Sequence, residues 1–482
     1  MTRSTSRTKR LSTATIVAVA SVLAVGTVAA AAKFDLGFGV ERDQELAKNS
    51  EKLFGVGKPI AESSAVQLTQ AQAQADPTKL VTLAKKLKAT VVTTQGPAVD
   101  DQITLWPDDA HPTHLIVCNE QGTTAPGLVR IELATGNVET IVTGTTSCDP
   151  TRRTPWGTVI FAEEAGQTGR VYELMDPLHT TGVTLDRTTG TFSGGVGAEN
   201  LVTRTALGTG PFEGFDILDD GTTYVDGDDS GFGPKNGGPG NFLFKFIPDA
   251  PFTGSGAITN LADSPYAAGS YFGLRVGLGT NFGQGREFGF GQWIPFPRVD
   301  NPNIEAQGLA AGLTGYYRLE DSDIDTAALA NGNVRVCTPA TGDETNHLYG
   351  EVVCLTDGTV AEAKANTAVP EVQPFTIGGT SRGMNMPDNI AFQPFTGNAI
   401  VHEDAETTFE FPHNNDLWDC LPDGQDQDLL TDGCIRIATL NDLTAEWTGG
   451  IFDASGQHFY VSIQHNISGQ ATILDITGWD ND

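Results

Sequence analysis

Lysine and arginine are scarce. The chain of 482 residues carries 29 of them against 60 aspartates and glutamates, a formal net charge of −31, although charged residues make up only 18% of it. So few cations leave no basic stripe for a nucleic-acid backbone and nothing to attract an anionic membrane surface, which excludes both partners. Aromatic residues are also few, at 8%, whereas glycine is abundant at 56, a balance that favours many turns and short strands over an all-helical fold. With 39% hydrophobic residues the composition is globular rather than disordered. The length allows one large domain, or two to three ordinary ones, with a sizeable core.

Several chemical signatures are missing as well. There is no C-x-x-C spacing, which excludes a zinc ribbon or thioredoxin site, and no H-E-x-x-H or P-loop. Gly379-Thr-Ser381-Arg-Gly383 has the letters of a nucleophile elbow, but Pro387 and its neighbours leave no room for the helix that motif requires. Asp423-Gly-Gln-Asp426-Gln-Asp428 has acidic spacing suited to calcium without the helices or terminal Glu of an EF-hand, and reads equally well as a solvated turn. His413 and His465 have no metal-pair spacing.

What is present begins with a leader. Arg3, Arg7, Lys9 and Arg10 precede an apolar run from Ala14 and the small residues Ala29 to Ala32. This is the pattern of a cleaved signal peptide over residues 1–31, with an uncleaved anchor as the alternative. Twin arginines are lacking, so Tat export has no support. In an exported chain an even number of cysteines suggests disulfides. Cys337/Cys354 and Cys420/Cys434 close short loops; Cys118 and Cys148 remain, either as a third bridge or with one of them as a metal-bound thiolate.

Residues 32–100 read as a helical extension. Glu45 to Phe54 suggests a weak helix, and Asp76, Pro77, Leu80, Leu83, Ala84 and Leu87 suggest an amphipathic one. From there on, short β-branched and aromatic runs alternate with turn residues. The segments 156–164, 215–226, 390–404 and 451–465 each repeat strand, turn, strand, and polar end. Repeated antiparallel units over residues 101–482 predict an all-β, six-bladed β-propeller, with a long inter-blade insertion in the Gly/Phe/Pro-rich stretch from Pro251 to Pro302. Glu163-Glu164, Asp226 with Asp228-Asp229, and Glu403-Asp404 all end second strands, where radial blades would bring them together at one end of the channel. Converging carboxylates repel unless cations sit among them, and oxygen ligands suit calcium or ferric iron.

Five segments in order resemble the PhoX-type alkaline phosphatase family. They are Ser147-Cys148 with Arg153-Thr-Pro-Trp-Gly-Thr158 and Glu163-Glu164; Tyr317-Arg-Leu-Glu-Asp321; His347-Leu-Tyr-Gly-Glu-Val-Val353; Asp388-Asn-Ile-Ala-Phe392 with His402-Glu-Asp404; and Trp447-Thr-Gly-Gly450 through His465. The resemblance implies a propeller whose iron and calcium centre hydrolyses phosphate monoesters outside the cytoplasm without a protein nucleophile. It casts Cys148 as an iron ligand, Glu164, Glu213 and Glu320 as metal ligands with Glu120, Glu163, Glu403 and Asp404 beside them, and Arg318 as the phosphate clamp. The chain departs from the family in Asn119-Glu120-Gln121 and in Asp149-Pro-Thr-Arg-Arg153, which replaces a Gly-rich stretch. A second phosphate-binding lysine has no counterpart, and Arg152 and Arg153 are the available substitutes. These readings predict a periplasmic or secreted monomer acting on a small phosphoester, with no membrane insertion after cleavage. Two alternatives are a calcium-stabilised propeller that binds without catalysis, and a calcium-dependent lactonase- or phytase-like propeller.

Overall fold

A computed structural model describes residues 38–228, 238, 240–277, 288–343, 347–379, 383–405, 413–424 and 430–480. The leader (1–31), Asp229, Ser381, Asp426 and Asp428 lie outside the described residues. The compact unit runs from Arg42 to Asp482; of the unit before it, Met1–Glu41, only the start of the helix Phe38–Lys48 is described. No helix among the described residues is long and apolar enough to cross a membrane.

Strand pairing builds six antiparallel blades. Blade 1 is Asp100–Trp106, His114–Asn119, Pro126–Glu132 and Val138–Thr143; blade 2 is Cys148–Arg153, Val159–Glu163, Val171–Leu174 and Leu201–Thr203. Blade 3 is Phe215–Ile217, Thr223–Val225, Phe244–Pro248 and Gly269–Val276; blade 4 is Asp323–Ile324, Asn333–Ala340, Glu351–Thr359 and Glu371–Ile377. Blade 5 is Pro387–Phe392, Ala399–Glu403, Asp416–Cys420 and Cys434–Leu440, and blade 6 is Glu446–Phe452, His458–Gln464 and Thr472–Thr477. The first strands of successive blades touch in cyclic order, the last against the first, which closes the ring of a β-propeller. The hairpins expected at 156–164, 215–226, 390–404 and 451–465 are the first hairpins of blades 2, 3, 5 and 6. Their strands read as nearly continuous apolar runs because neighbouring blades cover both faces; Val159–Glu163 and Ala399–Glu403 are buried throughout.

Two expectations need correcting. The helix over Asp76–Leu87 does not form: a single turn, Pro77–Leu80, leads into the strand Val81–Leu83, and Lys86 adopts φ 84° before the strand Lys88–Thr93. Val81–Leu83 extends blade 5 and Lys88–Thr93 supplies the fourth strand of blade 6. The open sheet edges and the core around Leu80, Ala84 and Leu87 override local helical periodicity here. The stretch 251–302 is likewise more than an insertion, since it holds the fourth strand of blade 3 and the strand Gly289–Pro295, which joins blades 3 and 4 into one sheet.

One irregularity recurs and positions the site. In blades 1, 2, 5 and 6 the pairing of the first hairpin slips near the start of the inner strand, between Asp100 and Ile103, Cys148 and Thr151, Pro387 and Ile390, and Thr448 and Ile451. Bulges of this kind re-aim side chains. In blade 6 the slip contains Gly449, at φ 62°, where a Cβ would lie 2.3 Å from the carbonyl oxygen of Asp101. Only glycine lets blade 6 pass this close to blade 1.

Candidate metal centre

Every blade delivers a carboxylate at the start of its inner strand. Asp101, Asp149 and Asp388 lie within the bulges of blades 1, 2 and 5, Glu446 opens blade 6, and Glu213 and Glu320 stand just before the inner strands of blades 3 and 4. Beside them, Glu120, Glu164, Asp228 and Asp404 follow the second strands of blades 1, 2, 3 and 5. Asp101, Glu120 and Asp149 each present a ligand oxygen within 4.8 Å of the others, and so do Asp149, Glu164 and Glu213. Asp149 therefore belongs to both triads.

The electrostatics are those of crowded, desolvated anions. Burial, followed by repulsion from Glu120, raises the pKa of Asp101 well above the usual carboxylate range. Burial and then Asp101 and Glu120 do the same to Asp149, and burial with Asp149, Glu320 and Glu164 does it to Glu213. Glu320, Asp388 and Glu446 are also pushed well up by burial, with Asp388 acting on Glu320 and Asp404 on both Asp388 and Glu446. Without a counter-cation such a set stays charged only in part. The donors are carboxylate oxygens, and one oxygen of Asp101 is buried without a hydrogen-bond partner. A hard cation that takes many oxygen ligands fits this set.

Among the described residues, one guanidinium bears on these acids. Arg318 places Nη2 3.0 Å from Glu320 and Nε 3.2 Å from Asp228, and its side chain is 30% exposed. Burial opposes its charge, but Glu320, Asp228, Asp404 and Asp388 outweigh burial and raise its pKa further. Arg152 and Arg153 do not join it: Arg152 donates to Asp321 and to the carbonyl oxygen of Ser322, both at 2.7 Å, and Arg153 donates to Asp109 at 2.7 Å. Asp226 lies in this second acidic tier, between blades 2, 3 and 4, where burial lifts it and Asp321 to about 7.

Of the residues expected at the site, Glu120, Glu164, Glu213, Glu320, Asp404 and Arg318 are brought together. Three are not. Cys148 is bonded to Cys118, so it has no thiolate to offer iron. Glu163 is turned into the blade, where it accepts from the backbone N–H of Thr146 at 2.9 Å and from Arg187 at 2.9 and 3.2 Å. Glu403 accepts from the backbone N–H groups of Asn385 and Asp416 and from Trp418 Nε1. The Thr154–Thr158 motif sits at the opposite end of its hairpin, where Trp156 donates to buried Glu173 at 2.7 Å. Missed by sequence reasoning were Asp101, Asp149, Asp388 and Glu446; their shared signal is an acid at the start of the strand that opens each repeat.

A family model described as alkaline phosphatase PhoX matches residues 109–466. The chain belongs to the PhoX family. That match spans every channel acid named above except Asp101, which lies just before it. Among solved structures, the chain is similar to an auxiliary nutrient binding protein from Bacteroides thetaiotaomicron (11% identity, 81% of this chain and 77% of that one, TM-score 0.42). It is also similar to the PQQ-bound aldose sugar dehydrogenase of Streptomyces coelicolor (12%, 82% and 99%, TM-score 0.39) and to a gluconolactonase from Xanthomonas campestris (11%, 87% and 98%, TM-score 0.38). A search of curated proteins finds no match. The PhoX family is of alkaline phosphatase type and metal-dependent, the acidic triads of this chain could hold a metal, and its three disulfides are compatible with export.

Proposed function

We propose that this PhoX-family chain hydrolyses small phosphate monoesters outside the cytoplasm, as a monomer, at cations held by the carboxylates at one end of its channel. The observation that carries this reading is the pair of triads sharing Asp149, set beside blades whose acids orient Arg318. Asp101, Glu120, Asp149, Glu164 and Glu213 would hold the cations. Calcium suits their all-oxygen donor set; iron, with Cys148 spent in a disulfide, would also meet oxygen donors there. Bound cations supply charge neutralisation and an activated water or hydroxide.

The protein's own contribution is binding and orientation. The Arg318 guanidinium has five N–H donors in a planar fork, and Glu320 and Asp228 fix its direction while leaving donors for phosphate oxygens. Asp388 and Asp404 add to the field that keeps Arg318 charged. The test is metal analysis of the purified mature protein together with p-nitrophenyl phosphate turnover. Bound calcium, with turnover lost to a chelator and restored by calcium, is the expected result. Calcium without turnover would leave a binding propeller, and turnover of a lactone or phytate instead would assign the chain to the third reading.

A further inference from the structure

Glu120 and Asp149 reach their shared triad from different sheets. Glu120 follows the second strand of blade 1, Asp149 lies in the inner strand of blade 2, and no ladder of hydrogen bonds joins those two strands. A covalent bond does. Cys118 stands two residues before Glu120, Cys148 stands one residue before Asp149, and the two are disulfide-bonded and fully buried. The other two bridges differ in kind: Cys337–Cys354 and Cys420–Cys434 join residues that already face each other in register within one blade.

We propose that the Cys118–Cys148 disulfide is a positioning clamp for the cation centre, holding Glu120 and Asp149 at ligand spacing before a cation arrives. Two carboxylates this close repel, and more strongly in a water-poor channel than in solvent. The apolar core around Ile116, Leu128, Phe161 and Tyr172 holds the two blades together, but the hydrogen bonds beside the acids themselves are long: Ser147 N–H donates to Gln121 O at 3.2 Å and Gln102 to Asp149 at 3.4 Å. Without the bridge the two acids relax apart at the channel end of that seam, and an incoming cation must first draw them together, which lowers its affinity. The clamp rests on the reading that these acids bind a cation, and the experiment separates the two.

Calcium affinity is measured by calorimetry on the mature protein, on Cys118→Ser/Cys148→Ser, and on Cys337→Ser/Cys354→Ser as the control lacking a bridge remote from the triad. The clamp predicts a dissociation constant raised on the order of tenfold in the first variant and little changed in the second. Equal affinity in the native protein and Cys118→Ser/Cys148→Ser overturns the clamp and leaves the centre standing, whereas no calcium binding by the native protein overturns both. Should the first variant fail to fold, the native protein still decides. In graded dithiothreitol redox buffers, with alkylation and mass spectrometry at each cysteine, calcium must shift the reduction midpoint of Cys118–Cys148 to more reducing conditions than it shifts the other two, because coupling between cation and bridge is reciprocal. An equal shift at all three bridges, or none, overturns the proposal.

Discussion

Arg318 and Glu320, two residues apart at the entry to blade 4, form an ion pair of 3.0 Å directed into the channel. The backbone of Arg318 is left-handed at φ 58°, and its carbonyl oxygen accepts from the N–H of Thr341 at 2.8 Å. A non-glycine residue held in that region is uncommon, and the turn is what aims the side chain at Glu320 and Asp228 rather than along the strand. If the remaining donors grip phosphate, Arg318→Ala lowers p-nitrophenyl phosphate turnover by roughly a hundredfold or more while bound calcium per chain stays the same. Arg318→Lys keeps the charge but loses the fork, and falls between. Unchanged turnover in Arg318→Ala removes the residue from the mechanism.

Asp149 is the residue common to both triads, whereas Glu213 belongs to one. Asp149→Asn therefore weakens cation binding at both, and Glu213→Gln at one. Metal content after dialysis against limiting calcium is the measurement, and the expected order is native, then Glu213→Gln, then Asp149→Asn. The reverse order would mean that Asp149 does not bridge the two groups.

The hairpins were legible in the sequence because their turn chemistry is local: Asp-Asp-Gly at 219–221 and Asp-Ala-Ser-Gly at 453–456 mark the tips of the first hairpins of blades 3 and 6. The convergence of second-strand ends followed from radial symmetry, and Glu164 and Asp404 are found there. Which of two adjacent acids faces the channel did not follow. Side chains alternate along a strand, but the register slip at Cys148–Thr151, opposite Glu163, breaks that parity and is invisible in a single sequence. Asp101, Asp149 and Asp388 were missed for the same reason, since each lies inside such a slip. The Cys118–Cys148 pairing depends on contact between two blades, which spacing alone does not encode.

Stability should respond to pH with a definite sign. Burial raises Asp226 and Asp321 to about 7 and Asp100 and Asp419 to about 8, and it raises the six inner-strand acids of the centre as well. In the unfolded chain these groups titrate near about 4. The folded state therefore holds more protons above that pH, and the stability these groups contribute is complete below it and is lost as pH rises through their folded values. Buried His402, depressed to about 3 by burial, acts in the opposite sense only below its ordinary value of 6.5. Between pH 7 and 9 the acids prevail. In a chelator the melting temperature should fall across that window, and saturating calcium should flatten the decline because the cation takes the place of the protons. Scanning calorimetry at pH 7, 8 and 9 is the check, and a melting temperature that rises with pH in chelator contradicts it.

Glu163 and Glu164 are neighbours with separate tasks, and their glutamine variants should come apart in two assays. Glu163 is fully buried and receives both arms of the Arg187 guanidinium as well as the Thr146 N–H. Removing its charge leaves the partly exposed Arg187 without its carboxylate partner, which costs on the order of 1–2 kcal/mol. Glu163→Gln should therefore lower the denaturation midpoint while leaving calcium stoichiometry intact. Glu164 stands in a triad with Asp149 and Glu213. Its neutralisation relieves repulsion among them, so Glu164→Gln should leave the chelated protein as stable as the native one, or slightly more so, while weakening calcium binding. Urea denaturation with and without calcium reads both effects at once: in Glu163→Gln both curves move together, and in Glu164→Gln the calcium-induced shift shrinks. If the two variants behave alike, the assignment of one acid to the blade and the other to the channel is wrong.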